Sequence, residues 1–130
     1  MKQESRDWIE RADAELETLG ILMRGSFPVG ALGLCLFITH HVVELGYKAL
    51  YCENGVRPPK THDLLRLHAE VLGAGWNLII DPMDVALLNQ YGVDARYPGF
   101  IIASITEVKD AQTASKRIYE AIRLELDKRP

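Results

Sequence analysis

The sequence predicts an all-α protein, an up-and-down antiparallel bundle of four to five helices, on three observations. Apolar residues recur at spacings of three and four through most of the chain, and helix-start and helix-stop signals divide it into segments. The one stretch with strand character, Phe100-Ile101-Ile102-Ala103, has no second strand to pair with, and reads as a buried connection or an extended helix start.

Trp8, Ala12, Leu16, Leu19 and Met23 mark the apolar stripe of a first helix over about 5–24, with Glu4, Asp7, Arg11, Glu15 and Glu17 on its other faces. After Gly25-Ser26-Phe27-Pro28, a second periodic segment runs from Val29 to about Asn54. It is apolar almost all round as far as Ile38, which suits the middle of a bundle. Asn54-Gly55 and the paired prolines Pro58-Pro59 then require a loop. Thr61 is the expected N-cap of a short third helix carrying Leu64, Leu67, Val71 and Leu72 and stopped by Gly73 and Gly75. Asp81-Pro82 opens a short fourth helix with Val85, Leu88 and Tyr91 on one side and Gly92 at its end. Ser104-Ile105-Thr106-Glu107 has capping-box spacing, and a long last helix follows over about 104–128, with Val108, Ala111, Ser115, Ile118, Ile122 and Leu126 at helical intervals. Short connections make neighbours mostly antiparallel.

The 130 residues, 48% apolar and 25% charged, are those of one ordinary folded domain spanning 1–130. With 15 basic against 18 acidic side chains the net charge is −3, which excludes a broadly basic nucleic-acid coat and leaves room for a local basic site. The apolar run from Phe27 to Ile38 is soon followed by charge and is too short to span a bilayer. The N-terminus lacks the pattern of a signal peptide, so a cytoplasmic location is expected. Cys35 and Cys52 fall on one helix, roughly 25 Å apart, too far to bridge, and read as reduced core residues.

Three constellations carry chemistry. On the apolar second helix, His40, His41, Glu44 and Lys48 gather within a few turns, with Glu44 and Lys48 an i, i+4 pair in the favourable order. They form either a polar strip or network, or a partner interface, or a ligand-contacting face. Next, Arg57-Pro58-Pro59-Lys60-Thr61-His62-Asp63 sets two cations and an imidazole around a helix start, where free N–H groups attract anions; this is either a phosphate site or a capped, stiffened loop. Third, Tyr91 to Gly99 includes Arg96 and Tyr97, groups that pair with anions or stack, or simply pack over helix ends. There is no Walker loop, Gly-x-Gly-x-x-Gly, Cys-x-x-Cys or His-Glu-x-x-His, so neither a metal nor a cofactor is expected.

Together, Phe37-x-x-His40-His41-x-x-Glu44-x-x-x-Lys48-Ala49-Leu50, Pro59-Lys60-Thr61-His62-Asp63-Leu64 and Ala95-Arg96-Tyr97-Pro98 resemble the HEPN family (higher eukaryotes and prokaryotes nucleotide-binding domain), over nearly the whole chain. The resemblance implies a bundle of four to five helices, commonly a homodimer, often encoded beside a minimal nucleotidyltransferase as a toxin–antitoxin-like pair. Many members of the wider family are metal-independent endoribonucleases whose motif is Arg, four to six residues, then a polar residue or His. Arg57 and His62 have this spacing. Histidine moves protons at the 2′-hydroxyl and the leaving oxygen, and arginine holds the phosphate. In the ribonuclease members the pair lies later in the chain, where this sequence has Arg96-Tyr97-Pro98 and no following histidine. The Thr61-His62-Asp63-Leu64 block looks more like the branch known for binding nucleotides or partners. The expectation is therefore a nucleotide- or nucleic-acid-phosphate-binding domain that uses Lys60, Arg96, Tyr97 and Lys48. The alternatives are a ribonuclease using Arg57 and His62, and a structural adaptor with His40, His41 and Glu44 at its dimer seam.

Overall fold

The computed structural model describes residues 1–25, 30–92 and 104–130. Five helices build the fold: α1 (Gln3–Arg24), α2 (Ala31–Glu53), α3 (Leu64–Gly73), α4 (Pro82–Asn89) and α5 (Ile105–Asp127). The described residues contain no strand; Phe100 to Ala103 lie outside them.

Because α2 is apolar on nearly every side, it can bury most of them, and it packs against α1, α3, α4 and α5. Cys35, Leu36, Val42, Val43 and Leu50 are inaccessible to solvent, and full burial of each Leu or Val contributes about 1.5–3 kcal/mol. Both cysteines are buried and unpaired. At the α2–α5 crossing a side chain on Gly46 would meet Ile122 at 3.1 Å and Tyr119 at 3.4 Å, so glycine lets these two helices approach closely.

The contacts give the direction of each helix. Glu15 meets His41 and Lys2 meets Glu53, so α1 runs antiparallel to α2. Ser115 donates to the Thr39 carbonyl and Ile122 faces Gly46, so α5 runs parallel to α2 and packs directly on it. The departure from strict alternation is α3. His62 meets Glu44, His68 meets Tyr47 and Glu70 meets Tyr51, so α3 runs in the same direction as α2. What makes this possible is the 54–63 segment. Its prolines exclude helix and favour extended backbone, and the segment climbs back along α2 before α3 begins.

That climb also moves the expected cap. Thr61 does not cap α3; its hydroxyl accepts from the Asp63 amide at 3.2 Å, and Asp63 is the N-cap, accepting from Leu65 and Arg66. Asp81-Pro82 starts α4 as expected, but the helix stops at Asn89, short of Gly92, and Tyr91 turns inward to donate its hydroxyl to Glu107 at 2.7 Å. Ser104 caps α5 through the Glu107 amide, as its spacing predicts.

Candidate functional site

Glu44 is the centre of the polar cluster on α2. Its side chain is buried, and an unpaired carboxylate there would be costly. Lys48 Nζ donates to Oε2 at 2.9 Å from the next turn, and His62 Nδ1 donates to Oε1 at 2.9 Å from the returning loop. His40 Nε2 stands 3.4 Å from Oε1 and has no hydrogen-bond partner among the described residues. Burial alone would raise the Glu44 pKa; the side chains of His40, Lys48 and His62 outweigh it and bring the carboxyl down to about 2. Glu44 is therefore a fixed anion at any ordinary pH.

A fixed anion dictates how the two histidines hold their protons. A carboxylate only accepts, so His62 places a proton on Nδ1 and turns Nε2 toward solvent, where 62% of its side chain is exposed. In its neutral form that nitrogen carries a lone pair; protonated, it donates. The result is a carboxylate-oriented imidazole able to bond or deprotonate a group outside. His40 is inaccessible and instead donates from Nδ1 to the Leu88 carbonyl at 3.0 Å, with its ring against Gly92. The expectation that His40 and Glu44 line a dimer seam is corrected by their burial within one chain. His41 is half-buried, stacked on Phe37 and paired with Glu15 at 2.7 Å.

The start of α3 is closed to anions. The Leu64 amide donates to Asn89 Oδ1 at 2.8 Å, and the next two amides are taken by Asp63. The free N–H groups expected there as a phosphate cradle are satisfied inside the chain. What the loop leaves available is side chains: Arg57 and Lys60 are exposed and form no hydrogen bond or ion pair among the described residues. Arg57 lines a groove of about 690 Å³ with Lys2, Glu4, Cys52 and Pro58. It sits level with Cys52, whereas His62 sits level with Glu44, about 12 Å away along α2. Lys48 is nearly buried on Glu44. Arg96 and Tyr97 lie outside the described residues.

Asn89 and Lys2 were not visible as site residues beforehand. Asn89 reaches Leu64 across 25 positions, and Lys2 joins the Arg57 groove from the N-terminus. Neither has a local signal. Among the described residues no group of three or more His, Cys, Asp and Glu gathers as metal ligands, and no helix is long and apolar enough to cross a membrane.

The family model for the HEPN domain matches residues 5–126. Among solved structures, the crystal structure of TT1696 from Thermus thermophilus matches with a TM-score of 0.67 at 20% identity, over 95% of this chain and 99% of that one. At that identity the likeness is one of fold. No curated protein matches.

Proposed function

The chain belongs to the HEPN domain family, and from that premise we propose that it binds the phosphates of a nucleotide or RNA on the face made by loop 54–63 and α2. The observation that supports this reading is the pair of exposed cations Arg57 and Lys60, without partners among the described residues, on the loop that His62 anchors to Glu44. A prolyl-stiffened loop presents those cations with little ordering cost on binding. Arg96 and Tyr97 belong to the same proposal as further phosphate and stacking contacts, and Lys48 supports it by holding Glu44 ionised. Fluorescence anisotropy of a labelled RNA, repeated across salt concentrations, tests it. Arg57→Ala and Lys60→Ala should each weaken binding and lower the salt slope by about one. Binding by both variants at wild-type strength and slope would remove the loop from the site.

The Glu44–His62 pair specifically favours a second reading, a metal-independent endoribonuclease. His62 Nε2 would take the 2′-hydroxyl proton as the 2′-oxygen bonds to phosphorus and the P–O5′ bond breaks, the leaving 5′-oxygen taking a proton from solvent and a 2′,3′-cyclic phosphate remaining, while an arginine neutralises the phosphate. Because Arg57 stands about two turns of α2 from His62, this reading includes a homodimer in which a second copy supplies the guanidinium. Incubation with RNA in EDTA should show cleavage by the wild type and none by folded His62→Ala; no cleavage by the wild type leaves the binding reading alone. The pairing with a minimal nucleotidyltransferase, in the cytoplasm and as part of a toxin–antitoxin-like system, is supported by the family. Co-purification with a co-expressed nucleotidyltransferase tests it, while light scattering reads self-association.

A further inference from the structure

We propose that Trp8 is the base-binding platform of this site: an adenine or other aminated base stacks on its indole in the cavity between α1 and α2, and the attached phosphate lies in the Arg57 groove. This deepens the phosphate-binding reading and rests on it.

Trp8 separates two concavities. On one side it lines a cavity of about 330 Å³ with Asp7, Arg11, His41 and Leu45, at the lower end of the size range of small-ligand pockets. On the other it lies beside the Cys52 thiol, which lines the Arg57 groove, and beneath the Lys48 ammonium, 5.9 Å from the ring centroid. The two hollows are unequal in charge. In the first, Arg11 and His41 are both already paired with Glu15 and Asp7 adds a carboxylate, so an anion is repelled. An uncharged aromatic ring carrying an amino group fits it, with Leu45 and the indole as apolar walls and the Asp7 carboxylate as acceptor. In the second, the cationic Lys2 and Arg57 outnumber the acidic Glu4. Along α1 one turn separates the nearest walls of the two hollows, Trp8 and Glu4, by about 6 Å, and along α2 two turns separate Leu45 from Cys52 by about 10 Å, distances that a base and a phosphate of one strand can bridge. Stacking on an aromatic ring beside a cationic groove is how single strands are held without sequence readout.

The test uses the full chain carrying Trp76→Phe, which leaves Trp8 as the sole tryptophan; Trp76 is a buried side chain under Arg129 that lines neither of the two hollows. ATP, a short oligoadenylate and base-free tripolyphosphate are titrated while Trp8 emission is followed. ATP or oligoadenylate should quench it, and tripolyphosphate should compete without quenching to the same extent. Whichever of the two quenches at the lower concentration identifies a free nucleotide or an RNA strand as the source of the base, and either supports the platform. Trp8→Ala should weaken oligoadenylate binding about tenfold or more, while Trp8→Phe keeps most of it. Binding without quenching, or with Trp8→Ala as strong as wild type, overturns the platform and leaves the phosphate reading standing. No binding of any of the three probes overturns both.

Discussion

On the α5 side of the bundle, Asp84 receives two nitrogens of Arg117 at 2.9 and 3.0 Å, and Asp13 receives Arg123 together with the Tyr119 hydroxyl. On the α2 side, Glu44 receives a lysine and one histidine, with a second histidine close by. A guanidinium stays protonated at all ordinary pH and its fork matches a carboxylate, so the α5 pairs are permanent ties between helices. An imidazole has two separate nitrogens, and on the exposed His62 the second is left for another partner. The α5 clusters close on themselves; the α2 cluster leaves His62 facing outward beside cations that nothing in the described chain neutralises. That difference is what supports the proposed binding face on α2, with the α5 pairs as ties between helices.

The comparison can be broken by substitution. Glu44→Ala should have the largest effect, because it leaves Lys48 buried without its counter-charge and frees His62; a loss of about 3–5 kcal/mol in urea unfolding is expected, well beyond that of Arg117→Ala, whose side chain is largely exposed. An equal loss from both would erase the distinction between the two faces. Acid sharpens the same point. The folded-state pKa of Glu44 lies near 2, below its ordinary 4.5, so its contribution is fully present above the unfolded value and is lost as pH falls from about 4.5 through 2. It amounts to about 3 kcal/mol, and Glu44→Gln should flatten that part of the stability profile. The smallest effect is Gly92→Ala, whose methyl would meet the His40 ring at 3.3 Å. The ring is held by the Leu88 carbonyl, so a cost of about 1 kcal/mol is expected, readable as a lowered melting temperature.

Legibility followed the range of the interactions. Asp81-Pro82 and Ser104 to Glu107 announce helix starts because a cap and its amides lie within three residues. The apolar girth of α2 announces its central place because burial on all sides needs no knowledge of which neighbours supply it. The third helix start is where local reasoning slipped. Thr61 and Asp63 are both acceptable caps by type, and the choice between them was made by an extended loop that must reach Glu44 before the chain can coil. The polar residues of α2 were recognised as unusual, but whether they faced solvent, a second copy or the interior could not be read from α2 alone.

The sequence by itself therefore determined the helices, their order, the position of α2 and the residue types available for chemistry, since backbone hydrogen bonding and amphipathic periodicity act within a few residues. Only the tertiary structure decided that His62 rests on Glu44, that Asn89 closes the start of α3, that α3 runs with α2, and that Arg57 and His62 stand two turns apart. Those outcomes depend on contacts across 18 to 25 positions, and such contacts exist only once the helices have been packed and the loop between them has been given its direction.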